Sequence, residues 1–185
     1  MAKKETKPGV SLFPVPVVLV TCADKDGRAN IITLAWAGVV CSEPPMVSVS
    51  IRPHRYSHGL IKERKEFVVN IPTSDIMKQT DTCGVISGRD NDKFAVTGLT
   101  PEPARHVKAP MIKECPVSLE CKLKTSIVLG THEIFIGEVV ATHIDESVMS
   151  AEGKIDFSKA RPFTFDCGEY WTLKEKIGHY GCSKR

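Results

Sequence analysis

Apolar and polar positions alternate with a period of two along much of this chain, and that period predicts strands. Val15 to Cys22 reads as a first strand, followed by a hairpin-like turn at Ala23-Asp24-Lys25-Asp26-Gly27. Ala29 to Val40 reads as a second strand, bulged near Gly38 and broken by Pro44-Pro45, and Met46 to Ile51 alternates as a third. Ser57 or His58 opens a short helix to Glu66 with Leu60 and Ile61 on its buried side, and Phe67 to Ile71 is a fourth strand closed by Pro72. Ser74 can cap a helix through Thr82, and Asp92 to Val96 has the pattern of another helical turn. Thr100 to Met111, with three prolines, reads as a surface loop. Val117 to Thr125 places Val117, Leu119, Cys121 and Leu123 on one face and Ser118, Glu120, Lys122 and Lys124 on the other. Thr131 to Ile144 is a long strand kinked at Gly137. Glu146 to Ala160 is polar and irregular, Phe163 to Phe165 a short strand, and Tyr170 to Ile177 a last helix.

Strands dominate and short helices interrupt them. The expected fold is mainly β, a Greek-key-like closed barrel with short peripheral helices rather than a doubly wound parallel sheet. No internal repeat, low-complexity run or domain boundary appears, so residues 1–185 read as one domain with 1–12 as a loose N-terminal segment.

Composition narrows the function classes. Hydrophobic residues at 42% and charged residues at 25% are ordinary globular values, and a net charge of +3 gives no footprint for nucleic acid. The Val-rich run Val15 to Val20 contains Pro16, is too short to cross a bilayer and lacks the form of a signal peptide. A soluble, cytoplasmic protein without membrane partners is expected. The seven cysteines are odd in number and form no CxxC, which argues against a disulfide framework, a zinc ribbon and an iron–sulfur site. Cys22, Cys41 and Cys121 fall in apolar strand patterns and read as small buried hydrophobes; free thiols fit a reducing cytosol.

The densest chemistry lies between Gly27 and Leu60. The third strand ends in a loop carrying Arg52, His54, Arg55, Tyr56, Ser57 and His58 and runs straight into a helical pattern. Cations, hydroxyls and free N–H groups at a helix start make a phosphate site, though the same residue types also populate solvated loops. Upstream, Thr33, Leu34, Ala35 and Trp36 offer a mixed surface on which a flat ring could lie, with Trp36 equally readable as a core aromatic. Phosphate at one end and a ring at the other point to a mononucleotide. No GxGxxG follows a strand and no GxxxxGK[ST] occurs, so neither a Rossmann site nor a P-loop is expected. His54 and His58 are four apart, but Pro53 opposes a regular helix and no carboxylate completes a metal set.

These residues resemble the flavin reductase-like family, the FMN-binding split barrels, and in particular its flavoredoxin-like branch. The resemblance is carried by Ser42-Glu43-Pro44-Pro45 and Arg52-Pro53-His54-Arg55-Tyr56-Ser57-His58. It continues in Cys83-Gly84-Val85-Ile86-Ser87-Gly88-Arg89 with Asp92-Lys93-Phe94 and Gly98-Leu99-Thr100, in Gly130 to Val139, and in Glu169-Tyr170-Trp171. It spans roughly Phe13 to Tyr180; each motif is weak alone, and their shared order is what is specific.

The resemblance implies a split β-barrel, a homodimer and non-covalent FMN. It implies that Thr33 to Trp36 lie against the isoalloxazine, although Ala35 and Trp36 stand where hydroxyl residues are usual. Ser50, Ile51, Arg52, Arg55, Tyr56, Ser57 and His58 are the implied cofactor-binding strand end and loop, with Cys83, Ser87, Gly88 and Lys93 reaching the same phosphate or the ring edge. Each has a plainer reading as turn or surface. His132 is the implied neighbour of the flavin's reactive face, shaping a donor site, and Tyr170-Trp171 cover the flavin, from their own subunit or a neighbour, or pack on the barrel. Electrons would come from NAD(P)H or a redox protein and leave to free flavin, ferric iron or a partner protein. Within the fold, a tightly held FMN and flavin as a substrate are alternatives, and the Arg52 to His58 loop together with the Ala35-Trp36 strand favours the first. Rival readings are a non-redox FMN- or heme-binding module (store or sensor) and a barrel whose basic loop serves another anion.

Overall fold

In the computed structural model, which describes residues 1–184, the long strands obey the two-residue period and the helices stay short. The order is β1 (Val15–Pro16), β2 (Val18–Ala23), β3 (Ala29–Leu34), β4 (Ala37–Ser42), β5 (Pro45–Ile51), α1 (Tyr56–Arg64), β6 (Glu66–Ile71), α2 (Met77–Val85) and α3 (Lys93–Thr97). Then follow β7 (Pro101–Glu102), β8 (Met111–Ile112), β9 (Val117–Leu129), β10 (His132–Ile144), α4 (Phe157–Ala160), β11 (Phe163–Asp166) and β12 (Glu169–Thr172).

Seven strands form one antiparallel sheet in the order β3-β2-β6-β9-β10-β5-β4. Its concave face holds the main core, in which Val18, Val20, Val49, Ile51, Phe67 and Phe135 meet Leu60 and Ile61 from α1. β2 is buried at every position because its other face is covered too. There Leu19 and Ile31 pack on Ile76 and Cys83 from α2 and its lead-in turn, and on Phe94 from α3.

The expected closed barrel is corrected to a curved, open sheet. Chain continuity at Ala35-Trp36 is a bend, not a ladder, so β3 pairs only with β2 and β4 only with β5. The single backbone bond from Ser50 N–H to the Trp36 carbonyl (2.9 Å) fastens the bend to β5. The predicted first and second strands are each split in two for the same reason: β1 leaves for a small sheet with β11 and β12, and β4 turns away from β3.

Three other expectations change. The helix predicted over Tyr170 to Ile177 is β12, paired with β11 through a turn at Cys167-Gly168. Tyr170 packs edge-on against Phe163 and Phe165, an alternation that a strand provides, and residues 173–177 beyond β12 are irregular and exposed. The predicted Ser74 cap falls to Thr73, whose hydroxyl accepts from Asp75 N–H (3.0 Å) and starts a 3₁₀ turn that leads into α2. The polar face of β9 is not solvated at Ser118 and Glu120, which are buried. The Glu120 carboxylate accepts the backbone N–H groups of Arg105 (2.9 Å), His106 (2.6 Å) and Val107 (3.0 Å), and His143 Nε2 lies 2.6 Å away. Burial pushes this carboxyl's pKa up, yet those partners hold it below the ordinary value. The loop from Pro103 to Pro110 is thereby strapped over β6 and β9. Of the thiols expected in the core, Cys22 and Cys121 are buried, whereas Cys41 is half-exposed on the edge strand β4.

The kink at Gly137 is present as a bulge in the β9–β10 ladder. A Cβ there would stand 2.5 Å from Phe67 Cζ and 3.0 Å from Cys121 Cβ, so the glycine is required by a close approach across the core. Gly137→Ala is expected to lower stability by about 1–3 kcal/mol, the cost of overpacking, read as a lower urea midpoint at unchanged slope.

Candidate functional site

β3 is an edge strand, and the side chains and backbone along it border two cavities in succession. The first, near 130 Å³, is polar: Asn30, His54, Arg55, Ser57, Ser87 and Lys93 line it. The second, near 260 Å³, is a groove floored by Thr33, Leu34, Ala35 and Trp36 and flanked by Val85, Phe165 and Tyr170. The segment Gly84 to Gly88 runs along both, with Gly84 and Val85 on the groove and Ile86 to Gly88 on the polar cavity.

Local sequence explains the polar cavity. Asn30 is buried in an apolar strand, where asparagine is disfavoured unless its amide is bonded. Its Nδ2 donates to Ser57 Oγ at 2.7 Å and so fixes the start of α1 against β3. Gly88 comes so close that a Cβ there would collide with the Asn30 side chain, which only glycine permits. Gly84 likewise lets α2 approach, since a Cβ there would lie 3.2 Å from Thr33 Cβ. Thr33 in turn donates its hydroxyl to the Thr80 carbonyl.

The electrostatics are one-sided. Lys93 is buried, and its Nζ donates to the carbonyls of Ile31 (2.7 Å) and Cys83 (2.6 Å). Burial lowers its pKa, and the nearby Arg55 cation adds to that effect. Arg55 stands at the N-cap of α1 but gives no side-chain cap, and no acidic residue occupies the first turn. His58 N–H is returned to the Arg55 carbonyl (3.0 Å), but the helix start presents the positive end of its dipole with no side-chain acceptor. No carboxylate lines the cavity. Positive charge, hydroxyls and free N–H groups converge on a small space, the donor set a phosphate dianion requires.

Of the residues singled out from the sequence, Arg55, Tyr56, Ser57, Ser87, Gly88 and Lys93 line the polar cavity, and Thr33, Leu34, Ala35 and Trp36 line the groove. The others lie elsewhere. Arg52 is exposed outside the cavity, its carbonyl accepting Arg55 N–H (3.0 Å) and its cation close enough to His132 to depress the imidazole's pKa after burial has done so. His132 is half-buried on β10, 3.0 Å from Thr131 Oγ1, and lines neither cavity. Ile51 is a core side chain, and Ser50 sits on the outward face of β5. Cys83 is buried with its sulfur in the second core cluster, so only its carbonyl serves the site; burial raises its pKa to about 11. Trp171 is exposed, because on β12 it alternates with Tyr170, and Tyr170 takes the place at the groove.

His58 turns away from the loop. Its Nε2 lies 2.7 Å from Glu133 Oε2, and the buried Glu133 also receives Ser126 Oγ (2.7 Å) and Lys62 Nζ (3.1 Å). This cluster locks α1 to β10. Asn30 and Asp81 are site residues that pattern reading missed, whereas Tyr170, paired with Trp171 in that reading, does line the groove. Asn30 carried a signal, a lone amide inside an apolar strand. Asp81 carried none, since it meets Tyr170 only through the fold, Tyr170 Oη donating to Asp81 Oδ1 at 2.9 Å. Burial, and then Asp81, raise the Tyr170 pKa to about 12, so this bond persists through the neutral range.

Among the described residues no helix is long and apolar enough to cross a membrane, and no group of three or more metal-type side chains occurs. Residues 10–172 match the family model described as the flavin reductase like domain. The fold matches flavoredoxin of Desulfovibrio vulgaris (Miyazaki F), 36% identical, covering 100% of both chains with a TM-score of 0.93. It matches flavoredoxin from Methanosarcina acetivorans at 32% identity, covering 98% of this chain and 97% of that one, with a TM-score of 0.90. A curated relative, an uncharacterised protein of Archaeoglobus fulgidus, is 33% identical over 80% of this chain and 81% of its own length.

The Glu133 carboxyl is held at about 2, below its ordinary 4.5, first by the Ser126 hydroxyl, against burial, then by Lys62 and His58. A depressed folded-state pKa contributes stability above the unfolded value that is lost as pH falls. Wild type is expected to lose stability between pH 4.5 and about 2, and Glu133→Gln, less stable at pH 7, to follow a flatter curve across that window. Urea midpoints at stepped pH read both.

Proposed function

The chain belongs to the flavin reductase-like family, and from that premise we propose that it binds FMN non-covalently along β3 and works as an electron carrier of the flavoredoxin or flavin reductase type. The observation that carries the reading is the polar cavity: a buried ammonium and a guanidinium at an uncapped helix start, with no carboxylate, directly beside a groove of ring-binding character.

In this reading Arg55, Lys93, Ser57 and the backbone of Ser87-Gly88 hold the phosphate. Asn30 positions Ser57 and supports the approach of Gly88. The bend at Leu34 to Trp36, free of a ladder partner on one side, offers backbone polar groups to a ring edge, while Tyr170 and Val85 exclude water from the flanks. Bound FMN supplies the two-electron chemistry, accepting hydride and releasing electrons one or two at a time. The protein's part is to fix the ring and set its surroundings. NAD(P)H or a redox protein would be the donor, and free flavin, ferric iron or a partner protein the acceptor. His132, next to Arg52 and His54 beyond the cavity, would shape the donor's approach without transferring a proton.

A second copy of the chain would cover the outward face of β5 and β10. Ile134 and Ile136 lie there beside Ser48 and Ser50, while Ile127, opposite Ile134 on β9, is left exposed. A monomer seldom leaves so much contiguous apolar sheet in water. The described cysteines are all free thiols, in keeping with a cytoplasmic setting.

Two expected outcomes test this. Protein purified without oxygen shows flavin bands, or gains them with FMN, and the bands bleach with NADH, NADPH or a reduced redox protein. A preparation that stays colourless after FMN addition overturns the reading. Arg55→Ala weakens FMN binding by about 1.5–3 kcal/mol, the scale of a hydrogen bond to a charged group, and Arg52→Ala by less, as followed by flavin fluorescence titration. Equal losses would return the phosphate to Arg52.

A further inference from the structure

The two cavities along β3 are opposite in charge. Arg55 and Lys93 bring cations to the polar cavity, and no carboxylate lines it. Along the groove the balance is reversed: Asp81 is the one acidic side chain among its described lining residues, and no basic one joins it.

Nothing in α2 itself calls for this aspartate. Aspartate ranks low among helix formers, and no basic residue in the last turn of α2 balances it. It forms no ion pair among the described residues. What holds it is Tyr170, whose Oη donates to Oδ1 at 2.9 Å from the strand β12. The Tyr170 ring is itself fixed edge-on by Phe163 and Phe165. A carboxylate fastened by a neutral phenol is positioned without being neutralised. The rise in the Tyr170 pKa, to which Asp81 adds after burial, is the mark of that charge on its neighbour.

Reduction adds electrons to a flavin ring, and a fixed charge beside the ring weighs on the reduced form more than on the oxidised one. We propose that Asp81, positioned by Tyr170, gives the groove a negative field that favours oxidised over reduced flavin and so lowers the midpoint potential of the bound cofactor. The inference rests on the flavin reading above and adds to it what the groove does once the ring is seated. Cations at one end hold the phosphate, and the carboxylate at the other makes the seated flavin a stronger reductant.

Redox titration of the full chain loaded with FMN tests this. Asp81→Asn keeps the side chain's size and an acceptor for Tyr170 but removes the charge. It is expected to raise affinity for reduced relative to oxidised FMN by about three- to tenfold, an upward shift of about 15–30 mV for a two-electron couple. Because Asp81 is exposed, the gap from wild type narrows as salt is raised. Oxidised FMN binds the variant within about twofold of wild type by fluorescence titration, since Asp81 does not line the polar cavity. Tyr170→Phe keeps the aromatic packing and frees the carboxylate, so it gives a smaller rise, and no further rise when added to Asp81→Asn. Equal potentials for wild type and Asp81→Asn, or a gap that salt does not change, would overturn the role of Asp81 alone. A Tyr170→Phe shift that persists in the Asp81→Asn background would overturn the positioning role of Tyr170. Failure of wild type to bind FMN would overturn the flavin reading, and this inference with it.

Discussion

A buried ammonium organises this molecule's functional end. Lys93 lies at the back of the polar cavity and ties together three elements that the chain visits far apart: β3 through Ile31, α2 through Cys83, and its own helix α3. Burying a cation without a carboxylate is costly, and two carbonyl acceptors offset only part of that cost. β3 is an edge strand, so its free carbonyl would otherwise need water or another strand. Lys93 satisfies it, and in doing so leaves uncompensated positive charge facing the start of α1. The arrangement costs local stability, and in the proposed reading a bound anion would offset that cost.

Around that charge the fold divides its labour. The convex layer of α2 and α3 buries Leu19 and Ile31 and brings Gly84 and Gly88 down onto β3. The concave core, with α1 inserted at one end, fixes where the helix begins. The Glu133 cluster then holds α1 from the opposite side by His58 and Lys62. The helix start is gripped twice, by Asn30 at one residue and by Glu133 at the next, so its N–H groups need little reordering when they meet a ligand.

Much of this was legible before any coordinates. β5 and the first half of β10 alternate cleanly because each buries one face on a continuous core, and Asp92 announces α3 because capping is local. The basic loop and the Thr33 to Trp36 strand were recognisable as a pair, as was the glycine kink at 137. What stayed hidden was decided by contacts distant in sequence. Nothing near Lys93 says that its ammonium is spent on carbonyls, or near His58 that it turns toward Glu133, 75 residues on. The break at Ala35-Trp36 carries no proline or glycine, and only the bond from Ser50 makes it a bend. β12 was read as a helix because its partner strand and its aromatic neighbours lie outside any local window.

The strap over β6 and β9 behaves differently from the rest of the chain. Three consecutive amides, at Arg105, His106 and Val107, converge on the two oxygens of Glu120. Acceptors shared in this way cannot be surrendered one at a time without leaving a buried carboxylate half-solvated. The segment between Pro103 and Pro110 thus hangs on one carboxylate, and loss of Glu120 would orphan three amides together rather than one.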